Sequence, residues 1–557
     1  MERNSQGSFL RVVMAAFLVA SLGMLSSCGG GGGGGGAVGT AAPSAFKLNS
    51  PGDDSTVSLT PTLCWNSSSG AATYTIQVTT DSSFATITTF QSTTVPSGTT
   101  SILISGGTLT HDKTYYWRVL AVNSGGSTVA SSAPYLFTTN KGTANSGDVV
   151  WSITNDPSSI DDQSFGMVIS GTDMYVIGYD SNTTMGDDQW HMEKRTLDDG
   201  SLVAAFGTTN PGVVVSNPFN ATLFSLDDAN AVAADTTALY VVGFDSVAGD
   251  DDWGWRIEKR DLVTGASITA FGAAGAVSEN INTGVLLDDA AVAVAVDSSP
   301  TGTMYIVGYV SPALMGTEWR IEARNKVTGS LVSSVTSSFS AGDDSANAIA
   351  IDPTEGYMYV VGSDSSLGDT QWRIEKRTLS APMSLETASF GGSLGYVVSN
   401  PSTTYVDKPF AIALDTLYLY VAGFDNAGTL PRWRIEKRDR SDGTLVISFG
   451  TGGSVNSNTT TGAVANAIAV DSNYIYVAGY DNTASGALEW RIEKRDITTG
   501  ALVTTFGSNG VVVNNFGLPA LDHDIWTIAV DTNHVYVAGY ESVDATNSRW
   551  RIMKLLK

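Results

Sequence analysis

The sequence predicts an all-β protein, and its larger part is predicted to be a seven-bladed β-propeller. Each repeat contains a strand ending in Val-x-Gly or a close variant, followed by a strand related to Trp-Arg-Ile-Glu-Lys-Arg. The repeat tryptophans, spaced 53 to 65 residues apart, are Trp190, Trp255, Trp319, Trp372, Trp433, Trp490 and Trp550. Self-similarity with a period of this length indicates a repeat architecture.

The sixth repeat shows most clearly the four strand-like pieces of one predicted blade. Ala467–Val470 is small and apolar, and Tyr474–Tyr480 is β-branched and aromatic. Trp490–Arg495 alternates strictly, and Leu502–Phe506 follows a Thr-Gly turn. Four antiparallel strands per repeat without helical periodicity are typical of a β-propeller. The alanine-rich piece is assigned to the innermost strand, because large side chains would clash where the blades crowd the axis.

The two ends of the repeat region predict how the propeller closes. The seventh repeat shows no fourth strand-like piece after its Trp550 strand. The segment Gly147–Ile153 matches Gly500–Phe506 in its Gly, its central Val and its terminal apolar residue. We therefore expect a propeller domain of residues 147–557 that is closed by a strand at residues 148–154. Closure removes exposed sheet edges, which invite aggregation.

The recurring residues of the third strand are predicted to be structural. Arg and Glu, such as Arg434 and Glu436, lie on one face of the strand and predict a repeated salt-bridge ladder rather than a binding stripe. His191 takes the place of this Arg in the first repeat. The repeat tryptophans are expected in the core rather than in a sugar-stacking row.

Residues 43–140 alternate as β-strands do and form a separate predicted domain. Trp65 lies in an early strand, Leu109 precedes a later one, and that later strand reads Tyr-Tyr-Trp-Arg-Val-Leu-Ala-Val-Asn from Tyr115. This order resembles the fibronectin type III sandwich, with its early core Trp and its tyrosine corner. The resemblance implies a spacer or an interaction module. Cys64 is expected to be an inert thiol.

The first 42 residues are predicted to export and anchor the chain. Two arginines precede an apolar stretch that is too short to span a bilayer, and Leu-Ser-Ser-Cys closes it. This pattern resembles the lipobox of bacterial lipoproteins, which implies a signal peptide of residues 1–27 and lipid modification of Cys28. Residues 28–42 include a glycine run and are expected to form a flexible tether. Because Gly29 follows the Cys, the resemblance implies the outer membrane, with the lipid as the only membrane contact.

The repeat region as a whole resembles the bacterial delta-sixty tandem repeats. In those repeats a Val-x-Gly strand leads to an Arg-containing strand and then to Gly-x-Leu-x-x-x-Phe-Gly. That last element occurs, in places degenerate, at residues 200–207, 265–272, 443–450 and 500–507. Repeats three and four depart from it at Val335 and Ser384. The resemblance implies an exported or surface protein and no particular reaction.

The formal net charge of −25 restricts the partners. Nucleic-acid binding needs a basic footprint, and adhesion to anionic lipid needs positive charge. Both are therefore excluded, whereas cations, basic partners and a simply solvated acidic surface fit the charge.

The acidic loops are predicted to gather on one face of the propeller. In an antiparallel blade, the loops between strands two and three and the loops between blades emerge at the same end. These loops are the longer ones, and function on a scaffold concentrates in such loops. The candidate residues of this binding face are Asp187, Asp188, Asp250, Asp251, Asp252, Trp253, Asp369, Asp522, Asp524 and Trp526.

An aspartate recurs eight residues before the end of the innermost strand in five of the seven repeats. Carboxylates around a channel mouth offer the oxygen ligands that Ca²⁺ prefers, whereas the structural alternative is that each Asp accepts local backbone hydrogen bonds. No other cofactor is predicted. The positions are Asp162, Asp227, Asp289, Asp344 and Asp407, with Ala463 and His523 in the last two repeats.

The motif content favours a non-catalytic protein. The four His residues are scattered, and no Gly-x-Ser-x-Gly, His-Glu-x-x-His or phosphate-loop pattern occurs. We expect a monomeric cell-envelope lipoprotein that binds or scaffolds a protein, a glycan or a cation through the acidic face. The alternatives are a carbohydrate-active hydrolase or lyase with paired carboxylates on that face, and a purely structural surface-layer component.

Overall fold

A computed structural model describes most of the chain beyond residue 40. The chain divides into two compact units between Ala144 and Asn145, and each described residue belongs to one of them. Their regular structure is β-strand throughout, which confirms the all-β prediction. No helix among them is long and apolar enough to cross a membrane. The described residues are 41–87, 89–104, 108–110, 113–139, 145–158, 160–182, 187–208, 210–217, 226–246, 253–281, 288–312, 316–366, 369–426, 430–457, 462–482, 486–516, 518, 520–544 and 547–557.

The first unit has two sheets around one core. Its strands are β1 (Leu48–Ser50), β2 (Ser55–Val57), β3 (Thr62–Trp65), β4 (Thr73–Thr79), β5 (Phe90–Pro96), β6 (Ser101–Leu103), β7 (Thr114–Asn123), β8 (Gly126–Val129) and β9 (Tyr135–Thr139). Strands β1, β3 and β6 form one sheet, and β2, β9, β7, β4 and β5 form the other, with β8 paired to β7. Trp65, Tyr74 and Trp117 lie in the shared core. The Tyr115 hydroxyl accepts a hydrogen bond from the amide of Thr110 at 3.0 Å.

The second unit contains seven four-stranded antiparallel sheets within its described residues. Its first strand, β10 (Val149–Asn155), belongs to the last sheet. Sheet 1 consists of β11 (Asp162–Ser170), β12 (Asp173–Asn182), β13 (Asp187–Thr196) and β14 (Val213–Ser216). Sheet 2 consists of β15 (Asp228–Ala234), β16 (Ala238–Ser246), β17 (Trp253–Asp261) and β18 (Ala276–Glu279). Sheet 3 consists of β19 (Ala290–Val296), β20 (Thr303–Val310), β21 (Glu318–Asn325) and β22 (Leu331–Ser337).

The remaining four sheets repeat this order. Sheet 4 consists of β23 (Ser345–Asp352), β24 (Tyr357–Asp364), β25 (Gln371–Thr378) and β26 (Tyr396–Ser399). Sheet 5 consists of β27 (Lys408–Leu414), β28 (Tyr418–Asp425), β29 (Arg432–Asp439) and β30 (Ser454–Ser457). Sheet 6 consists of β31 (Ala463–Val470), β32 (Tyr474–Asn482), β33 (Leu488–Asp496) and β34 (Val511–Asn514). Sheet 7 consists of β35 (His523–Val530), β36 (His534–Ser542), β37 (Ser548–Leu556) and β10. The repeated four-stranded sheets fit a β-propeller.

The hydrophobic cores lie between neighbouring sheets, because strand alternation sends apolar side chains to both faces. Trp190 of sheet 1 packs in a cluster with Leu239 and Val241 of sheet 2. Equivalent clusters join each later pair of neighbours. A further cluster joins sheet 7 to sheet 1 and contains Met174 and Trp550. The first strand of each sheet contacts the first strand of the next, and β11 contacts β35.

The repeat tryptophans also bond across the sheet boundaries. Each indole Nε1–H donates to a backbone carbonyl in the next sheet, at the residue after the Gly of its second strand. The pairs are Trp190–Phe244, Trp255–Tyr309, Trp319–Ser363, Trp372–Phe424, Trp433–Tyr480, Trp490–Tyr540 and Trp550–Tyr179. The expectation that these tryptophans form core contacts is confirmed, since all seven are almost fully buried.

Strand β10 completes sheet 7 as its fourth strand. It pairs antiparallel with β37, with Ile153 opposite Ile552. The Asn155 side chain at its end donates to Glu193 of sheet 1 at 2.5 Å. The N-terminal strand of this unit therefore bonds both to the last sheet and to the first.

Candidate functional site

The longer loops of the second unit emerge at one end of its sheets. They precede the first strands or connect the second and third strands, and the antiparallel order places both kinds at the same end. We call this end the loop face. Of the predicted binding-face residues, Asp250, Asp251, Asp252 and the side chain of Asp187 lie outside the described residues, as does the predicted lipidation residue Cys28.

The recurring aspartates at the entry to the first strands are buried and accept backbone hydrogen bonds. In sheet 4, Asp344 accepts from the amides of Phe339 at 2.9 Å and Ser365 at 2.7 Å. Asp162, Asp227, Asp289 and Asp407 accept from the equivalent amide at the end of the second strand, at distances from 2.7 to 3.0 Å. All five carboxylates are fully buried. Each aspartate therefore ties the entry of the first strand to the end of the second.

Burial changes the acidity of these carboxyl groups. It raises the pKa of Asp162 to about 7, and that of Asp344 and of Asp407 to about 6, although the backbone amides act in the opposite direction. Within the described residues, no group of three or more His, Cys, Asp or Glu side chains could hold a metal ion. These contacts favour the structural alternative over the calcium ring.

In the last two repeats, the amide at the end of the second strand also donates a hydrogen bond to the entry of the first strand, although the aspartate is absent. In sheet 7, Nδ1 of His523 accepts from the amide of Ser542 at 3.2 Å. In sheet 6, where Ala463 has no polar side chain, the amide of Asn482 donates to the carbonyl of Gly462 at 2.9 Å. This hydrogen bond recurs with a carboxylate, an imidazole or a backbone carbonyl as acceptor, which indicates that its role is structural.

Three of the predicted face residues, Asp188, Trp253 and Asp524, have buried side chains, and ligand binding by them stays a prediction. Asp188 accepts from the Ser181 hydroxyl at 2.5 Å, because β13 extends further into the predicted loop than the sequence indicates. Trp253 begins β17 and stacks on Phe244, with ring centroids 4.4 Å apart. Asp524 is fully buried.

Asp524 takes part in a contact between sheets 6 and 7. Both of its carboxylate oxygens accept from Nδ2 of Asn466, at 2.9 and 3.1 Å. Burial raises the pKa of Asp524 well above the usual range of an aspartate. Asn466 is the residue at which the register of β31 shifts, and Asn230 and Asn347 occupy the same place in sheets 2 and 4. Each of these three amides donates to a first-strand carbonyl of the next sheet.

Trp526, Asp522 and Asp369 remain accessible on the loop face. Trp526 is half-buried and lies edge-on to Phe165, with ring centroids 5.7 Å apart. Asp522 is exposed and accepts from the amide of Leu488 at 2.9 Å. Asp369 lines a pocket at the boundary of sheets 4 and 5.

This pocket, which we call the sheet 4–5 pocket, has a volume of about 670 Å³. Six of its described lining residues carry a hydroxyl group, and a single one, Asp369, carries a charge. The other polar lining residues are Ser340, Ser365, Ser366, Thr370, Thr404, Tyr405 and Asn426. The sequence does not predict them, because hydroxyl-rich loops occur throughout the chain and no spacing distinguishes these seven.

The buried aspartates position two walls of the pocket. Asp344 holds the amide of Ser365, and Asp407 holds the amides of Asn426 at 2.7 Å and Ser402 at 2.9 Å. Asp369 is fixed separately, because its Oδ1 accepts from Nδ2 of Asn400 at 3.2 Å. Two of the recurring aspartates, Asp344 and Asp407, thus fix backbone positions in the wall of the pocket.

The third-strand charges form a buried network. In sheet 5, Glu436 accepts from Nε of Arg434 and Nε of Arg438, each at 2.8 Å, and from the Ser399 hydroxyl of sheet 4 at 2.7 Å. Burial alone would raise the pKa of Glu436, but the Arg438 and Arg434 guanidinium groups outweigh it and hold that pKa below its usual value. The salt-bridge ladder predicted from the sequence is confirmed, and its burial removes it from the binding surface.

His191 occupies the Arg position of this network in sheet 1. Its Nδ1 lies 2.8 Å from Asp180 and its Nε2 lies 3.3 Å from Glu193. Burial favours the neutral ring, but hydrogen bonds to these two carboxylates outweigh it and raise the pKa of His191 to about 9. The imidazole is therefore cationic at neutral pH, as an arginine would be.

Comparison with known proteins yields fold-level similarity alone. No family model and no curated protein matches the chain. The quinohemoprotein alcohol dehydrogenase ADHIIG from Pseudomonas putida HK5 is 11% identical over 73% of this chain and 75% of that chain, with a TM-score of 0.37. Sqt1 from Chaetomium thermophilum is 11% identical over 73% of this chain and 100% of that chain, with a TM-score of 0.37. The C-terminal WD40 domain of Sif2 is 8% identical over 72% and 98%, with a TM-score of 0.32. These similarities are too weak to assign an activity, and the family resemblances stay predictions.

Proposed function

We propose that the protein is a non-catalytic binding scaffold of the cell envelope that engages its partner through the loop face. The observation that carries this proposal is the sheet 4–5 pocket, which is wide, hydroxyl-lined and furnished with one carboxylate, Asp369. Pockets of about 300–1,000 Å³ are typical of small-ligand sites. The partner classes that fit an acidic protein are a basic or neutral protein surface, a glycan or a cation.

The proposed architecture is a fibronectin type III-like domain at residues 43–140, followed in the sequence by a seven-bladed propeller. The core contacts between sheets 7 and 1 support the closed seven-bladed arrangement. The hydrogen bond between Tyr115 and Thr110, next to the buried Leu109, supports the fibronectin-like assignment, because a tyrosine corner bonds back to the chain upstream. In this arrangement the first domain acts as a spacer.

The proposed location is the outer membrane, to which a lipid on Cys28 would anchor the chain. The supporting feature is the Leu-Ser-Ser-Cys sequence after a short apolar stretch. A glycine-rich tether after the lipid would leave the folded part free to reach a partner.

The alternative of a carbohydrate-active enzyme is less well supported. Glycosidases need two carboxyl groups, about 5–10 Å apart, on either side of the scissile bond. The sheet 4–5 pocket offers one among the residues that line it. The three aspartates whose pKa values are raised to about 6 or 7, Asp162, Asp344 and Asp407, instead recur at the same position in sheets 1, 4 and 5. This repetition is typical of a structural role.

A matched pair of lysine substitutions tests the loop face as the binding surface. Tyr405→Lys adds a cation to an exposed residue of the loop face, and Ser472→Lys adds one to an exposed turn at the opposite end. The full chain is used to capture partners from envelope extracts, and the captured proteins and glycans are compared between variants. We expect Tyr405→Lys to lose the partner and Ser472→Lys to retain it. Equal capture by both variants would contradict binding through the loop face.

A further inference from the structure

We infer that the sheet 4–5 pocket binds an uncharged carbohydrate, an inference that rests on the proposed role of the loop face. The first observation is a pair of unpartnered acceptors on the pocket wall. Oδ2 of Asp369 and Oδ1 of Asn426 are shielded from solvent and accept no hydrogen bond from the described residues. An acceptor without a donor is costly, so a sugar hydroxyl gains by donating to either oxygen once its side chain turns that oxygen into the pocket.

The lining also excludes whole classes of ligand. No lysine, arginine or histidine is found among the described residues that line the pocket, and its one charge is negative. A phosphate, a sulfate or a uronate would present acceptors to Asp369 without a compensating cation. The ligand is therefore neutral or cationic.

The hydroxyl groups decide between these two possibilities. Ser340, Ser365, Thr370 and Thr404 carry groups that both donate and accept, and sugar hydroxyls have the same dual capacity. The Ser365 hydroxyl already donates to the carbonyl of Asp343 at 2.8 Å. A simple cation would use Asp369 and the hydroxyl oxygens as acceptors, but it would not engage the hydroxyl donors of Ser340 and Thr404. A sugar ring matches donors and acceptors together.

Tyr405 supplies the apolar contact that sugar recognition needs. It is 48% exposed at the edge of the pocket, next to Val406, which is 40% exposed. An aromatic ring with one apolar face and a polar tip can pack against the C–H face of a sugar while its hydroxyl stays hydrated. The pocket thus combines a stacking surface, a set of hydroxyl groups and two acceptors that have no donor among the described residues.

A glycan array tests the ligand class. The full chain is applied to neutral, sulfated and uronate-containing oligosaccharides, and the affinity for the best neutral glycan is measured by calorimetry. We expect binding to neutral glycans alone. Retention of charged glycans in preference to neutral ones, or no glycan binding at all, would overturn the inference.

Single substitutions then locate the site. We expect Tyr405→Ala and Asp369→Ala to weaken binding at least about tenfold, and Tyr405→Phe and the distant Ser472→Ala to leave it nearly unchanged. The Tyr405 pair needs no change in the core, so it stays informative if Asp369→Ala fails to fold. Unchanged affinity in Tyr405→Ala would place the glycan elsewhere and overturn the inference. Loss of partner capture by Tyr405→Lys, in a protein that binds no glycan, would uphold the loop face while rejecting the sugar.

Discussion

The indole Nε1–H of Trp550 donates to the backbone carbonyl of Tyr179 at 3.1 Å, across 371 residues of sequence. The other six repeat tryptophans make the same bond to the sheet that follows them in the chain, at 2.7 to 3.1 Å. Because Trp550 lies in the last sheet and Tyr179 in the first, this bond completes a cycle. The repeat tryptophan that packs between neighbouring sheets thus also joins sheet 7 to sheet 1.

Removing this donor should destabilise the second unit. Trp550→Phe keeps an aromatic ring but leaves the buried Tyr179 carbonyl without its indole donor, so we expect the free energy of unfolding to fall by about 1–3 kcal/mol. The matched control is Trp526→Phe, since Nε1 of Trp526 donates to no acceptor among the described residues. Urea denaturation followed by fluorescence measures both. A loss for Trp526→Phe as large as for Trp550→Phe would show that the bond contributes little.

The contribution of Asp162 to stability should fall as the pH rises from about 4 to about 7. The pKa of Asp162 is raised to about 7 by burial, so the folded state holds a proton that the unfolded state releases near its ordinary pKa of about 3.8. The stabilisation is therefore complete below that ordinary pKa and is lost as the pH rises through about 7. Asp162→Asn cannot titrate, and its stability should depend less on pH over this interval, by on the order of 1 kcal/mol. Thermal unfolding at a series of pH values measures the difference, and parallel curves for the two proteins would contradict the shift.

Calcium should leave the melting temperature unchanged. The carboxylates that the sequence offers as a ring accept backbone amide hydrogen bonds at the sheet entries, as Asp344 does from Ser365. A cation that bound the folded state would raise stability by mass action. We expect no shift with millimolar Ca²⁺ and none with chelator, by differential scanning fluorimetry. A rise that chelator reverses would restore the calcium hypothesis.

Lipid attachment should depend on Cys28 alone. Metabolic labelling with palmitate in a bacterial host is expected to mark the full chain and to fail in Cys28→Ser. Cys64→Ser is the matched control, because Cys64 is buried in the first unit and should not affect labelling. Label on Cys28→Ser would rule out the proposed anchor.

The repeat made much of the fold predictable. The Trp, Arg and Glu positions recur with strand alternation, so the sequence reveals the four-stranded sheets and the salt-bridge ladder. The sequence does not reveal that the register shifts at one residue of each first strand, as at Asn466. Such a shift moves side chains to the other face of the strand, and an alanine-rich strand conceals it.

The candidate site was less predictable, because exposure depends on where strands end. Asp188 and Trp253 were expected in loops, but β13 and β17 extend to include them and bury their side chains. The pocket depends on loops from two neighbouring sheets, and Tyr405 and Asp369 lie far enough apart in sequence that no motif connects them. Among the residues that line the pocket, only Asp369 is predicted from the sequence.

The central claim is that the sheets close into a cycle, which brings the long loops to one face. Disulfide mapping of Thr154→Cys with Arg551→Cys, in a Cys64→Ser background, tests it most directly, because these residues are opposite each other in β10 and β37. The control pairs Thr154→Cys with Arg373→Cys, which occupies the same repeat position in sheet 4. Peptide mass spectrometry after mild oxidation is predicted to find the 154–551 link and no 154–373 link. Failure to form the 154–551 link in a folded protein, or equal formation of both links, would contradict closure.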